Sequence, residues 1–359
     1  MSNGITLLIV DDSRLFRTAL EDALRGQSGV AVAGSVFSGA KAMEFIRSTP
    51  PDLVTLDVEM PGMDGLQTLE QIKAFNHSRP TSPPVGVIMV SAFTRRGEQV
   101  TINALQAGAF DFVAKPSGGS AQTNLAVLRD ELLAKIRAFA ASRRRSGAAG
   151  GIAGPAARAP AVKRTCMRAV VIGASTGGPR ALSDMLPALC RAVGLPILIV
   201  QHMPEGFTRS LAESLARQTG RRVVEATDGM PLELSTVYIA PGAKHLLLRG
   251  TAALPVVALN EQPPENGCRP SADVLFRSAA AVLGGELIAL ILTGMGKDGT
   301  AGLGAIRRAG GHVIAQDESS SVVWGMPRSA VEAGVVDEVQ PLNVIPAAVA
   351  TVISRASAR

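Results

Sequence analysis

The chain has 359 residues, enough for two domains, since soluble domains commonly have about 100–200 residues each. Hydrophobic residues make up 47% and charged residues 18%, which excludes a wholly disordered chain because enough apolar material is present for buried cores. Aromatic residues make up only 3%, which argues against an aromatic stacking platform for single-stranded nucleic acid. No apolar run approaches the roughly 18 residues that a membrane helix needs, so the sequence predicts no membrane insertion.

The N-terminus and the cysteines indicate the cellular compartment. The apolar segment Ile5–Val10 has no basic lead and stops at Asp11, which predicts a strand and not a signal peptide. Cys166, Cys190 and Cys268 are odd in number and never within metal-ligand spacing of one another. They argue against a disulfide framework or a thiolate zinc site and favour a reducing, cytoplasmic location.

The positive charge of the chain is concentrated in one segment. The net charge is +6 at pH 7, but no acidic residue occurs between Glu131 and Asp184. The segment 141–167 holds six basic residues: Arg143, Arg144, Arg145, Arg158, Lys163 and Arg164. Because this segment is rich in Gly, Ala and Pro and has little to bury, it predicts a flexible linker rather than a nucleic-acid site. The predicted organisation is a domain over 1–142, a linker over 143–166 and a domain over 167–359.

Both halves alternate short apolar runs with amphipathic stretches, a pattern typical of parallel sheets covered by helices. The strand candidates of the first half are 6–10, 30–33, 53–56, 85–90 and 110–114, and those of the second half are 169–172, 197–200, 237–239, 287–292 and 313–315. Helical spacing is seen in series such as Phe16, Leu20 and Leu24. The sequence therefore predicts an α/β fold with two doubly wound domains, the first five-stranded.

Polar residues follow the predicted strands of the first half. Asp11 and Asp12 come directly after the first strand, and Asp57 ends the third. Ser91 follows the fourth strand and Lys115 the fifth. In a parallel sheet, ligands bind beyond the carboxyl ends of the strands, so these groups should converge. A hard cation such as Mg²⁺ would relieve the repulsion between the carboxylates, although a single aspartate at a strand end is often a helix cap.

This half resembles the receiver domain of two-component response regulators over residues 1–142, with its five-stranded, flavodoxin-like parallel sheet. The resemblance implies that Asp57, in the run Leu-Asp-Val-Glu-Met-Pro-Gly-Met-Asp-Gly, accepts a phosphoryl group from a histidine kinase. It implies that Asp12, Asp57 and the backbone carbonyl of Glu59 hold Mg²⁺, with Asp11 acting through water.

The same resemblance assigns three further residues. Lys115 would pair with the phosphoryl oxygens, and Ser91 would hydrogen-bond them when the domain switches. Phe112, three residues before the lysine, occupies the position at which the family keeps an aromatic rotamer switch.

A serine in the second half lies where a strand is predicted to turn into a helix. The spacing Gly173-x-Ser175-x-Gly177 is that of a nucleophile elbow, in which small neighbours allow a sharp turn and leave the hydroxyl exposed. A phosphate-binding Gly/Ser turn fits nearly as well at a helix N-terminus. The dinucleotide fingerprint does not fit, because no G-x-G-x-x-G spacing is present.

A serine nucleophile needs a base and an acid on the same edge of the sheet. Of the four histidines, His202 alone directly follows the carboxyl end of a predicted strand. His77 lies in a polar loop, and His245 and His312 lie near the starts of strands. The run after strand 287–292 supplies an acid, Asp298; it is no Walker A motif, because Asp298 stands where Ser or Thr is required.

Residues 167–354 resemble the catalytic domain of the chemotaxis protein-glutamate methylesterases, the CheB family, with an α/β sheet covered by helices on both faces. The matching runs are Gly-Ala-Ser-Thr-Gly-Gly at 173–178, Gln-His-Met-Pro at 201–204, Ile-Ala-Pro-Gly at 239–242, Arg-Pro-Ser-Ala-Asp-Val-Leu-Phe at 269–276 and Leu-Thr-Gly-Met-Gly-Lys-Asp-Gly at 292–299.

The resemblance implies a phosphorylation-activated hydrolase that demethylates glutamate γ-methyl esters on methyl-accepting chemoreceptors and deamidates glutamines. Ser175 would be the nucleophile, His202 the base and Asp298 the acid, with the backbone N–H of Met295 in the oxyanion hole. No cofactor is expected in this half. In the family, the unphosphorylated receiver covers the esterase site.

Two other classes of function fit the sequence less well. A DNA-binding response regulator would explain a basic chain, but the excess charge lies in the linker and no helix-turn-helix unit is evident. A non-catalytic adaptor would have no reason to keep all three residues of the predicted triad. The sequence thus favours the esterase.

Overall fold

In a computed structural model of the protein, residues 4–115, 121–146 and 166–357 are described. The chain divides into two compact units, Met1–Ala148 and Ala149–Arg359. Most of the predicted linker, 143–166, lies outside the described residues. The last helix of the first unit runs to Ser146, four residues past the predicted end of that domain.

The first unit alternates strands and helices along its whole length. Its elements are β1 Ile5–Val10, α1 Arg14–Leu24, β2 Val30–Val36, α2 Gly39–Ser48, β3 Leu53–Asp57, α3 Gly65–His77, β4 Gly86–Ser91, α4 Arg95–Ala107, β5 Asp111–Ala114 and α5 Ala121–Ser146. The five strands form one parallel sheet in the order β2-β1-β3-β4-β5. This order is that of a flavodoxin-like sheet, as predicted, and it brings the ends of β1, β3, β4 and β5 to one edge.

The second unit has a larger parallel sheet. Its elements are β6 Ala169–Ala174, α6 Gly178–Ala192, β7 Ile197–Gln201, α7 Phe207–Thr219, β8 Arg222–Glu225, β9 Thr236–Ile239, β10 His245–Gly250, β11 Pro255–Asn260, α8 Ala272–Leu283, β12 Leu287–Ile291, α9 Thr300–Ala309, β13 His312–Gln316, α10 Met326–Glu332, β14 Glu338–Gln340 and α11 Ile345–Ser357. Seven strands pair in parallel in the order β14-β13-β12-β6-β7-β9-β8. The remaining two, β10 and β11, form an antiparallel hairpin.

The central strands of this sheet are covered on both faces. Every residue of β6, β7 and β12 is buried, as expected of a parallel sheet with a helical layer on each side. Helix α6 contacts α7 and α11, while α9 contacts α8 and α10, which gives two helical groups. The prediction of a three-layer α/β/α domain is therefore confirmed.

Helix α8 approaches β6 unusually closely. A Cβ at position 173 would lie 2.9 Å from the Cβ of Ala272 and 3.2 Å from the ring of Phe276, so only glycine fits there without displacing the helix. The first turn of α8 is consequently held against the end of the strand that leads to Ser175.

The strand order places three loops side by side. Strand β6 lies between β12 and β7. From β6 the chain first adds β7, β8 and β9 on one side and later adds β12, β13 and β14 on the other side. Such a reversal opens a crevice at the carboxyl edge of the strands, where ligands bind. The loops after β6, β7 and β12 meet at this crevice.

Several strands differ from the prediction. The ten predicted strands are all present with boundaries shifted by up to three residues. Strands β8, β10, β11 and β14 were not predicted, because β8 and β14 are short edge strands and the hairpin strands carry no parallel-sheet pattern. Over the described ranges, no helix combines the length and the apolar character needed to cross a membrane.

Candidate functional site

Ser175 lies in a tight turn between β6 and α6. Its N–H donates to the Thr293 carbonyl at 3.0 Å, and its carbonyl accepts from the Gly178 N–H at 2.7 Å. Gly177 has φ +79°, and a Cβ there would lie 2.6 Å from the Cβ of Val322, so this turn requires glycine for its conformation and for its space. The predicted strand-turn-helix context of the serine is therefore present.

His202 is the first residue after β7, the neighbour of β6 in the sheet. Its backbone N–H donates to the carbonyl of Ala174 at 3.0 Å, which fixes it beside the Ser175 turn. Gln201 strengthens this link, because its Nε2 donates to the Ser175 carbonyl at 2.9 Å and lies 3.3 Å from the His202 carbonyl. The histidine and the serine are thus positioned by shared backbone contacts.

Asp298 lies in the loop after β12, on the other side of β6. Its Oδ2 is 2.8 Å from His202 Nε2, so the structure brings the predicted acid and the predicted base into direct contact. Among the described residues, no hydrogen bond joins the Ser175 hydroxyl to the His202 ring. Catalytic hydrogen bonds of this kind are often long until substrate binds.

The N-terminus of α8 surrounds the Asp298 carboxylate with donors. The Ser271 hydroxyl donates to Oδ1 at 2.7 Å, and the Ala272 N–H donates to Oδ2 at 2.6 Å. The amide of Asn266 lies 3.3 Å from Oδ1. Burial alone would raise the pKa of Asp298, but His202, Ser271 and Ala272 hold it well below its usual range. The carboxylate is ionised and fixed in orientation.

The environment of His202 favours its protonated form. Burial alone would lower the pKa of the imidazole, but hydrogen bonds to Asp298 and Cys268 raise it to about 9. Cys268 is the nearest thiol, with Sγ 3.6 Å from Nδ1. The raised pKa means that these contacts stabilise the imidazolium that forms when the histidine accepts a proton.

The predicted oxyanion donor, Met295, lies in the same loop as Asp298. The carbonyl of Gly294 accepts hydrogen bonds from the N–H groups of Gly325 at 3.0 Å and Met326 at 2.8 Å. Because the C=O and N–H of a trans peptide point in opposite directions, the Met295 N–H is directed away from α10. A Cβ on Gly294 would lie 2.8 Å from the Ser175 Cβ, so this peptide is adjacent to the serine.

Residues that sequence reasoning missed complete this edge. Ser271 could have been recognised as a helix N-cap inside its motif. Gln201 precedes the histidine but carried no chemical pattern of its own. Asn266 and Cys268 come from a turn far from His202 in sequence, and no local spacing links them to it.

A second cluster lies at the carboxyl edge of the first sheet. The carboxylates of Asp11, Asp12 and Asp57 have oxygens within 4.8 Å of one another. The ammonium of Lys115 lies 2.8 Å from Oδ2 of Asp11 and 2.8 Å from Oδ2 of Asp57. Burial and the nearby charge of Asp11 raise the pKa of Asp57 to about 6, although Lys115 opposes the shift. The predicted convergence of these side chains is present.

The remaining residues predicted in the first unit lie around this cluster. Ser91 is buried at the end of β4, and its carbonyl accepts from the Lys115 N–H at 2.7 Å. Phe112 is buried in β5, with the Lys135 ammonium 5.3 Å from its ring centre. Glu59 is exposed, and its N–H points to Asp57 Oδ1 at 3.5 Å.

Comparisons with known proteins agree for both units. A family model described as response regulator receiver domain matches residues 7–125, and one described as CheB methylesterase matches residues 170–349. Among solved structures, the CheB methylesterase catalytic domain of Thermotoga maritima is 43% identical, with a TM-score of 0.50, and the match covers 52% of this chain and 98% of that one.

Two relatives match over nearly the full length. One from Koribacter versatilis is 44% identical over 95% of this chain and 94% of its own, and one from Pseudomonas aeruginosa is 42% identical over 96% and 95%. Both carry the name protein-glutamate methylesterase/protein-glutamine glutaminase 2. The chain belongs to the CheB methylesterase family and carries a response regulator receiver domain ahead of its methylesterase domain.

Proposed function

We propose that this protein is a phosphorylation-activated hydrolase that demethylates glutamate γ-methyl esters on chemoreceptors and deamidates receptor glutamines. The names of the relatives pair these two activities. The observation that carries the proposal is the placement of Ser175, His202 and Asp298 after three adjacent parallel strands, with the histidine bonded to the acid. A nucleophile, a base and an orienting carboxylate are what acyl transfer requires.

The contact with Asp298 selects the nitrogen that acts as base. Because His202 Nε2 faces a carboxylate, the neutral ring keeps its proton on Nε2 and its lone pair on Nδ1. As Ser175 Oγ attacks the ester carbonyl carbon, its proton passes to Nδ1. The bond to the methoxy oxygen then breaks, and methanol leaves with that proton. Water repeats the sequence on the acyl-enzyme and releases glutamate; with glutamine, ammonia leaves instead.

The charge that develops on the carbonyl oxygen needs donors that are already in place. The backbone N–H of Met295 is proposed as one donor, because its peptide is held by α10 and lies beside Ser175. The N-terminus of α6, which starts three residues after the serine, favours negative charge through its N–H groups. The proposed chemistry thus takes place entirely within the second unit.

In the receiver, Asp57 is the proposed phosphoryl acceptor. Its donor set fits a hard cation, because three carboxylates of like charge crowd together around a single lysine contact among the described residues, that of Lys115. Asp12, Asp57 and the backbone carbonyl of Glu59 would hold Mg²⁺, with Asp11 acting through water. The bound cation would neutralise charge on the phosphoryl oxygens.

Three residues would convert phosphorylation into a conformational change. Lys115, which already contacts Asp57, is placed to pair with a phosphoryl oxygen. Ser91 is the proposed hydrogen-bond donor to the phosphoryl group, and Phe112 the proposed aromatic switch. Phosphorylation by a chemotaxis-type histidine kinase would then relieve inhibition of the esterase by its receiver.

The proposed setting is sensory adaptation in the cytoplasm. The substrate would be the helical cytoplasmic region of methyl-accepting chemoreceptors, and nucleic acid is not an expected partner. Reduced methylation of a receptor would reset its signalling after a stimulus.

Methanol release from a methylated chemoreceptor fragment tests the proposal. Full-length protein with phosphodonor and Mg²⁺ should release methanol, and Ser175→Ala should lower the rate by several orders of magnitude. Ser319→Ala, which alters an exposed serine of the same unit, is the matched control and should leave the rate unchanged. Near-normal turnover by Ser175→Ala would overturn the proposed nucleophile, and no release by the unaltered protein would favour an adaptor.

A further inference from the structure

Cys268 is held next to the proposed catalytic base. Cys268 is far from the other cysteines and from His202 in sequence, but the fold brings its Sγ to 3.6 Å from His202 Nδ1. The thiol lies on a tight turn closed by paired hydrogen bonds between the backbones of Glu265 and Cys268, at 2.9 and 3.1 Å. Asn266 and Gly267, inside the turn, have φ +51° and +76°. The position of the sulfur is therefore set by the backbone.

The separation of the two atoms matches that of neighbouring ligands on a tetrahedral metal ion. Zinc binds sulfur at about 2.3 Å and imidazole nitrogen at about 2.1 Å, so a tetrahedral angle places the two atoms roughly 3.6 Å apart. The Sγ–Nδ1 distance is 3.6 Å. The separation of this pair is therefore compatible with both atoms binding one ion.

The far side of the imidazole is also arranged as in a metal site. Histidine ligands usually donate their second ring N–H to a carboxylate, which fixes the tautomer and raises the basicity of the ligating nitrogen. His202 Nε2 makes this contact with Asp298 at 2.8 Å, so the neutral ring has its lone pair on Nδ1. Asp298 is itself fixed by Ser271 and Ala272 and is 2% exposed.

We propose that Cys268 Sγ and His202 Nδ1 form an inhibitory site for a thiophilic divalent cation, for which zinc is the best fit, with water completing the coordination. The thiol proton is released to solvent as the ion binds. Thiolate and imidazole favour zinc and cobalt, whereas the carboxylates of the receiver favour magnesium, so the two clusters select different ions. Inhibition rests on the proposed function, because the ion takes the lone pair that would accept the Ser175 proton.

Binding is tested without reference to activity. Full-length protein saturated with Mg²⁺ is titrated with Co²⁺, whose thiolate complex has a charge-transfer band in the near ultraviolet. One equivalent should produce the band in unaltered protein, in Ser175→Ala and in Cys166→Ala, the exposed-cysteine control. Cys268→Ala and Cys268→Ser should lack it. A band that survives in both Cys268 variants, or that requires Cys166, would overturn the site.

A second measurement needs no substitution. Zinc should slow alkylation of Cys268 by iodoacetamide at least tenfold, while alkylation of Cys166 stays unchanged, as read by mass spectrometry of peptides. Equal rates with and without zinc at Cys268 would overturn the proposal.

Inhibition is measured separately. The zinc concentration that halves methanol release should rise at least tenfold in Cys268→Ala, relative to the zinc-free rate of each protein. An unchanged value would refute inhibition through Cys268. If unaltered protein shows the cobalt band but releases no methanol, the metal site stands and the proposed function fails.

Discussion

Asp298 contacts His202 at Nε2 at a distance of 2.8 Å, so the proposed mechanism assigns the transfer of the Ser175 proton to the other ring nitrogen, Nδ1. In the serine protease arrangement the ring is used the other way round, with the acid on Nδ1 and the nucleophile on Nε2. This ring orientation accompanies the backbone positions of the two residues. His202 directly follows β7, and the Asp298 carboxylate is held by the N-terminus of α8. In the proposed mechanism the same three groups would therefore carry out the same proton transfer with the ring reversed.

Replacing the proposed base should nearly abolish turnover. His202→Ala should lower methanol release by several orders of magnitude, comparable to loss of the nucleophile, because it removes the group proposed to accept the Ser175 proton. His77→Ala, which removes an exposed histidine of the first unit, should be neutral. His245 is a poor control, because its buried ring accepts a hydrogen bond from the Ser271 N–H at 3.2 Å. Activity of His202→Ala within tenfold of the unaltered rate would show that the base has been misassigned.

The high pKa of His202 predicts that activity rises on the alkaline side. Burial opposes protonation, but Asp298 and Cys268 together raise the pKa to about 9, so the imidazole is protonated and unable to accept a proton at lower pH. In the presence of a metal chelator, kcat/KM should increase with pH through about 9.

Cys268 contributes to the raised pKa of His202, so a Cys268 variant provides a second test of the pH dependence. Cys268→Ala should move the rising limb of the pH profile to lower pH, whereas Cys190→Ala, which removes a buried thiol elsewhere, should not. A profile that is flat between pH 6 and about 9 in the unaltered protein would contradict the assignment of the raised pKa to the base.

Loss of the phosphoryl acceptor should uncouple the switch from the esterase. Asp57→Asn is nearly isosteric but cannot form an acyl phosphate, so basal methanol release should persist while stimulation by phosphodonor and Mg²⁺ disappears. Asp64→Asn, at the capping box of α3, serves as the control within the same unit. Continued stimulation of Asp57→Asn would mean that another residue is phosphorylated.

Removal of the receiver should raise activity if the unphosphorylated receiver inhibits. A fragment over 167–359 lies within the second compact unit and should hydrolyse methyl esters faster than the full chain without phosphodonor. Both proteins are assayed on one substrate at equal concentration. A fragment that is equal or slower would show that the receiver activates through direct contacts.

Much of the fold was accessible from the sequence because buried parallel strands leave a strong pattern. Runs such as Leu53–Asp57 and Leu287–Ile291 are wholly buried and wholly or mostly apolar, so their position along the chain is evident. Polar residues at the end of such a run, as Asp57 is, or in the loop after it, as His202 and Asp298 are, lie at the carboxyl edge of their sheet, which makes them recognisable in the sequence. The hairpin β10–β11 was not predicted because its strands are partly exposed and their buried and exposed residues do not alternate regularly.

The contacts that tune the site were not accessible in the same way. Asn266, Cys268 and Ser271 reach the His202–Asp298 pair from one segment between β11 and α8, about 65 residues from His202 in sequence. Their role depends on how closely α8 approaches the sheet, which is a property of tertiary packing. A pattern along the chain gives the identity of a catalytic group, while its tautomer and pKa are set by neighbours distant in sequence.

Gly173 allows helix α8 to pack close to strand β6 beside the proposed active site. It has no side chain where β6 meets α8, so the strand that delivers Ser175 and the helix whose Ala272 N–H holds Asp298 are in direct contact. A single methyl group at this position would act as a wedge, 2.9 Å from the Cβ of Ala272. The spacing between Ser175 and Asp298 thus depends on the absence of a side chain at position 173, a residue with no proposed catalytic role.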